Sequence, residues 1–169
     1  MEGNGHRVPV SAGQYDEVDF DRIAKAIRLA LDAHHYQTRK SDGTPYIFHP
    51  LAVGRIVAEA LAHSGSYDSD VVCAAILHDV CEDGGVSPDL IAKWFGEEVA
   101  EMVACLSEDK SGTWFQRKMH TVEEIADWPE NSQLIKLADV LDNLSGIAHQ
   151  LAQADNPDQV WKQFKQGRK

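Results

Sequence analysis

Apolar positions along this chain recur at three- and four-residue steps, the spacing of helices with one buried face. Phe20, Ile23, Ala24, Ile27 and Leu31 set the first such stretch, which begins near Asp16 and runs towards His34, His35 and Tyr36. Asp19 or Asp21 can start it. A basic, turn-rich segment spanning 37–45 follows, with Gly43 and Pro45 as breakers. A second helix is expected from Leu51 to His63, with Pro50 in its first turn and Ser64-Gly65-Ser66 as its end. Asp68 or Ser69 can cap a third, apolar through Leu77, that runs on to Asp83 and closes at Gly84-Gly85. Ser87 and Pro88 open a short helix through Phe95, which Gly96 closes, and Glu97 to Leu106 makes another. Trp114 to Trp128 is more polar and ends at Pro129. From Asn131 or Ser132 a strongly apolar helix runs through Leu134, Ile135, Leu137, Ala138, Leu141, Leu144 and Ile147. Asn156-Pro157 begins the last, Asp158 to about Lys165. No segment alternates with period two for long enough to make a strand, and no repeat or linker divides the chain. The expected architecture is all-α and single-domain, with residues 1–15 as a flexible leader and 16–169 as one helical bundle.

Composition narrows the choice of partners. A net charge of −11 over 169 residues argues against a general nucleic-acid or membrane-surface role. An anionic substrate then needs local help from a metal or a basic cluster. Cys73, Cys81 and Cys105 lie in apolar helical patterns without C-x-x-C spacing, which reads as buried, reduced thiols in a cytoplasmic protein. The N-terminal stretch has no apolar signal core, and no run is long enough to span a bilayer.

The third helix turns abruptly from apolar to ionisable at His78, Asp79, Glu82 and Asp83. Helical spacing puts His78 with Glu82, and Asp79 with both acids. Buried charge is costly unless it is paired or bound to metal, and imidazole with carboxylate is a workable ligand set for a divalent cation. A His-Asp dipeptide alone says little. Asp139 is a second carboxylate on an apolar helix, with Asn143 one turn later and Asp142 within reach; either a metal or neighbouring polar groups could satisfy it. His49 stands at a loop-to-helix junction. Together His49, His78, Asp79 and Asp139 make two imidazoles and two carboxylates from three helices, a set suited to manganese, iron or zinc.

Arg39-Lys40, Gly43-Thr44-Pro45-Tyr46-Ile47 and His49-Pro50, followed by Ala75-Ile76-Leu77-His78-Asp79-Val80 with Glu82-Asp83, and then Lys136-Leu137-Ala138-Asp139 with Asn143-Leu144, resemble the hydrolase domain of the Rel/Spo alarmone family. That family belongs to the HD phosphohydrolase superfamily, and without a synthetase segment this chain is similar to its small stand-alone hydrolases. The resemblance implies an HD-type helical bundle in which His49, His78, Asp79 and Asp139 bind one metal, usually Mn²⁺, with Fe²⁺, Zn²⁺ or Co²⁺ as alternatives. It implies that Glu82 and Asp83 position or deprotonate the attacking water. It also implies that Arg39 lies against a guanine base, that Lys40 and Lys110 meet the phosphates, and that Asn143 faces the ribose or phosphates. Arg168 matches a substrate-side arginine of the small hydrolases. Residues 112–118 replace a more basic stretch of the long bifunctional enzymes.

The implied reaction is metal-dependent removal of the 3′-pyrophosphate from guanosine tetra- or pentaphosphate. Two rivals are an HD phosphohydrolase acting on a nucleoside monophosphate, a dinucleotide or the 2′-phosphate of NADPH, and a non-catalytic alarmone-binding module.

Overall fold

The run Ser69–Leu77 is apolar on every side, and a helix of that kind is stable only in the middle of a protein. The computed structural model, which describes residues 18–39, 42–108 and 111–165 (side chains as far as Lys162), puts it there. Eight of its nine residues are buried, all but Asp70, beneath α1 (Phe20–Ala33), α2 (Phe48–Ser64), α5 (Glu97–Leu106) and α7 (Glu130–Gln153). Taking Ser69–Leu77 as α3, the remaining helices are α4 (Pro88–Phe95), α6 (Trp114–Glu124) and α8 (Pro157–Lys165), with a 3₁₀ turn at Ile125–Asp127. Among the described residues there is no strand, only an isolated antiparallel bridge between Thr38 and Pro45. The all-α expectation holds. No described helix is long and apolar enough to cross a membrane.

Most boundaries follow local chemistry. Asp19 accepts from the Arg22 amide, Asp68 from Asp70 and Ser87 from Leu90, each satisfying an amide that a helix start leaves without a partner. Thr113 and Gln116 form a capping box at α6. Gly65, at φ 72°, ends α2 in the left-handed conformation that glycine adopts without strain. Helix α2 begins at Phe48 rather than Leu51, so His49 sits inside the first turn; Pro50 is tolerated there because first-turn amides have no intrahelical acceptor. Helices α7 and α8 likewise start slightly early, at Glu130 and Pro157.

Two expectations need correcting. Helix α3 ends at Leu77 and does not reach Asp83. Beyond it the chain turns, with Asp83 N–H donating to Asp79 C=O (2.9 Å) and Gly84 N–H to Val80 C=O (3.1 Å). Three acids at a helix C-terminus oppose its dipole, and Gly84 presses against Ala33 where a Cβ would stand 2.8 Å from that side chain. The apolar pattern of α7 also overstates its burial. Ile135 and Ala138 are core, but Leu137, Val140, Leu141 and Leu144 are exposed.

The core joins α3 to Val53, Val57, Ile91, Phe95, Val99, Val103 and Ile135. Burying each such side chain contributes about 1.5–3 kcal/mol. Gly54 of α2 lies close against Ile76 of α3. That approach brings the start of α2 and the end of α3 together, and α7 packs against both.

Candidate metal and nucleotide site

His78 is the first residue past α3. Its Nδ1–H donates to Ala75 C=O at 2.9 Å. A carbonyl can only accept, so in the neutral imidazole the lone pair lies on Nε2. That nitrogen is buried without a hydrogen-bond partner, although Asp79 Oδ2 stands 3.0 Å away. His49 follows the same logic. Its Nδ1–H donates to Asp142 Oδ2 at 2.7 Å, which leaves Nε2 facing inward, 3.8 Å from Asp79 Oδ2 and 3.3 Å from Asp139 Oδ1. The two rings lie 5.2 Å apart. His49, His78 and Asp79 each offer one ligand atom, all within 4.8 Å of one another.

Asp139 stands beside this group. Besides His49, its carboxylate contacts Lys136 Nζ at 3.0 Å and accepts from Asn143 Nδ2 at 2.6 Å. Tyr46, one turn before His49, donates its hydroxyl to Asp79 Oδ2. Glu82 accepts from the Glu108 amide at 3.3 Å, and the Asp83 carbonyl accepts from Gln37 Nε2 at 2.6 Å. Arg39 reaches across to α7, donating to Asp142 Oδ2 at 2.7 Å and Asn143 Oδ1 at 3.0 Å. Lys40, Lys110, Arg168 and the leader lie outside the described residues.

The electrostatics ask for positive charge. Burial works against protonating His78, but the Asp79 carboxylate outweighs it and pushes the imidazole up to about 8. Burial likewise opposes ionisation of Asp79, yet the His78 imidazole and the Tyr46 hydroxyl hold its carboxyl well below the usual range. Asp139 is held low, against burial, by His49 and Lys136. A buried lone pair facing an ionised carboxylate at this separation is repulsive until a proton or a cation joins them. Two imidazole nitrogens and a carboxylate within 4.8 Å of one another are the donor set and spacing that a small divalent cation could draw together. Glu82 differs: burial raises its carboxyl, which makes it a better proton acceptor than an exposed glutamate.

Comparison with known proteins covers the stretch that carries these residues. The sequence pattern of the HD domain matches residues 26–167. The chain belongs to the HD-domain family. This HD protein is 36% identical over 127 residues, 75% of its own length and 69% of the relative's, to the guanosine-3′,5′-bis(diphosphate) 3′-pyrophosphohydrolase MESH1 of Mus musculus. It is 41% identical over 92 residues to the bifunctional (p)ppGpp synthase/hydrolase SpoT of Escherichia coli K12, covering 54% of the HD chain but 12% of that longer protein. Its fold matches a solved metazoan ortholog of SpoT that hydrolyzes ppGpp and plays a role in starvation responses, with TM-score 0.69 and 32% identity over 83% of this chain and 73% of that one.

The sequence reading brought out His49, His78, Asp79, Asp139, Glu82, Asp83, Arg39 and Asn143. Around the His-Asp group the structure gathers His49, His78, Asp79 and Asp139, with Arg39 and Asn143 joined to it through α7. Tyr46 and Lys136 were missed. Lys136 precedes Asp139 by three on α7, so helical spacing was the available signal there, whereas Tyr46 lies in the turn before α2 and meets Asp79, 33 positions on, only through the fold.

Proposed function

We propose that this protein is a guanosine-3′,5′-bis(diphosphate) 3′-diphosphatase, removing the 3′-pyrophosphate of ppGpp or pppGpp to leave GDP or GTP. The observation that carries the reading is the meeting of His49, His78 and Asp79, with Asp139 alongside, in a relative of 3′-pyrophosphohydrolases. These four residues would hold one divalent ion, taken here as Mn²⁺. Bound there, the ion supplies a lowered water pKa and charge neutralisation at the phosphate.

The other side chains take complementary parts. Hydrolysis breaks the bond between the 3′ oxygen and its phosphorus; the water oxygen ends on pyrophosphate and a proton ends on the 3′ oxygen. Glu82, with its raised carboxyl, accepts the water's proton, and Asp83 orients that water. Arg39 takes the purine, since a guanidinium stacks and donates hydrogen bonds at once. Asn143 faces the ribose or phosphates, and Lys40, Lys110 and Arg168 neutralise phosphate charge. Tyr46 keeps Asp79 in place through its hydroxyl.

The test is to incubate Mn²⁺-loaded protein with ppGpp and resolve the products. GDP and pyrophosphate are expected, with both lost in Asp79→Ala. Release of orthophosphate instead, or turnover of another nucleotide with ppGpp untouched, refutes the assignment.

A further inference from the structure

One oxygen serves both halves of the site. Asp142 Oδ2 lies 2.7 Å from Arg39 Nη1 and 2.7 Å from His49 Nδ1. Arg39 is thereby fixed on α7, where its Nη2 also meets Asn143. His49 is fixed in the tautomer and ring orientation that turn Nε2 towards His78 and Asp79. A carboxylate on the far nitrogen of a metal-binding histidine sets the ring's direction and its basicity as a ligand.

We propose that Asp142 is a positioning residue that couples the two halves, holding His49 for the cation and Arg39 for the nucleotide. This rests on the reading above of His49 as a ligand and Arg39 as a nucleotide contact. The coupling is specific to Asp142. Asn143 joins Arg39 to Asp139 by a parallel route, but among the described residues only Asp142 places a full negative charge between an imidazole and a guanidinium. Both contacts are charge-assisted or reinforced by charge, and removing the carboxylate deprives both partners at once.

The experiment compares Asp142→Ala, Asp142→Asn and Arg39→Ala with the parent protein. Mn²⁺ affinity is read on metal-stripped protein by competition with a chelating dye, and KM and kcat are read with ppGpp at saturating Mn²⁺. Asp142→Ala is expected to weaken Mn²⁺ binding about 10- to 100-fold. At saturating Mn²⁺ its kcat should recover towards the parent value while KM stays several-fold raised. Arg39→Ala should raise KM with Mn²⁺ affinity much nearer the parent. Asp142→Asn, nearly identical in shape, keeps one acceptor oxygen and should fall between; it carries the test if the alanine variant does not fold. Parent-like Mn²⁺ affinity or parent-like KM in folded Asp142 variants overturns the coupling. Failure of the parent itself to bind Mn²⁺ refutes the metal reading instead.

Discussion

Substituting Gly54 by alanine tests whether close contact between α2 and α3 builds the site. A Cβ at Gly54 would lie 2.6 Å from Ile76 Cγ1 and 3.4 Å from its Cδ1. Ile76 is buried and β-branched, so the clashing carbon sits next to a stiff χ1 and cannot swing clear. Overpacking of this kind costs about 1–3 kcal/mol. Against it stands the helix propensity of alanine over glycine, about 1 kcal/mol in the opposite direction. Gly54→Ala should therefore destabilise the protein by up to about 2 kcal/mol.

Ile76→Ala removes both clashing carbons. By itself it should cost about 2–5 kcal/mol through the cavity it leaves. In that background the clash is gone and only propensity remains, so adding Gly54→Ala should stabilise by about 1 kcal/mol. The sign reverses. Ile76→Val is the control, because valine keeps two γ carbons and gives no relief. Urea unfolding of the four members of the cycle, at constant m value, measures the coupling. His49 rides on α2 and His78 follows α3, so Gly54→Ala should also weaken Mn²⁺ binding in the dye assay. A Gly54→Ala protein more stable than its parent refutes the close-approach reasoning.

Tyr46→Phe removes the hydroxyl donor to Asp79 while keeping the ring against His34 and His49. It should cost about 1 kcal/mol in thermal or urea unfolding and lower kcat/KM about tenfold or more; parent-like activity refutes the orienting role. Burial pushes the Cys73 thiol up to about 12. At about pH 8 iodoacetamide should therefore spare it in the folded protein and modify it only on unfolding, as peptide mass mapping can read. The unfolded thiol ionises near 9.0 and the folded one only near 12, so Cys73 costs stability as pH rises through that window.

Helix ends were legible wherever one residue decides them. Asp68, Ser87 with Pro88, Gly65 and Gly96 each act through hydrogen bonds or φ angles within a few positions, and their effect needs no tertiary partner. His78-Asp79 was legible because the chemistry and its apolar setting share one short segment. Asp142 is different in kind: its partners are 93 and 103 positions away, and only the packing of α7 against α2 brings them together. On the sequence it is one acid among several on α7. Burial of α7 misled for the same reason, since Leu137, Leu141 and Leu144 follow the helical pattern but no described element covers them.

The early end of α3 has a consequence for the site that helical periodicity could not supply. In a continuous helix Asp79 would stay on a fixed face, one step round from His78. Past Leu77, Val80 N–H bonds back to Leu77 C=O, and the Asp79 carboxylate lies 3.0 Å from His78 Nε2 and 3.8 Å from His49 Nε2. Adjacent residues His78 and Asp79 therefore offer ligand atoms to one locus together with His49. Asp79, an acid that opposes the dipole at the end of α3, is thus also the carboxylate that the two imidazoles share.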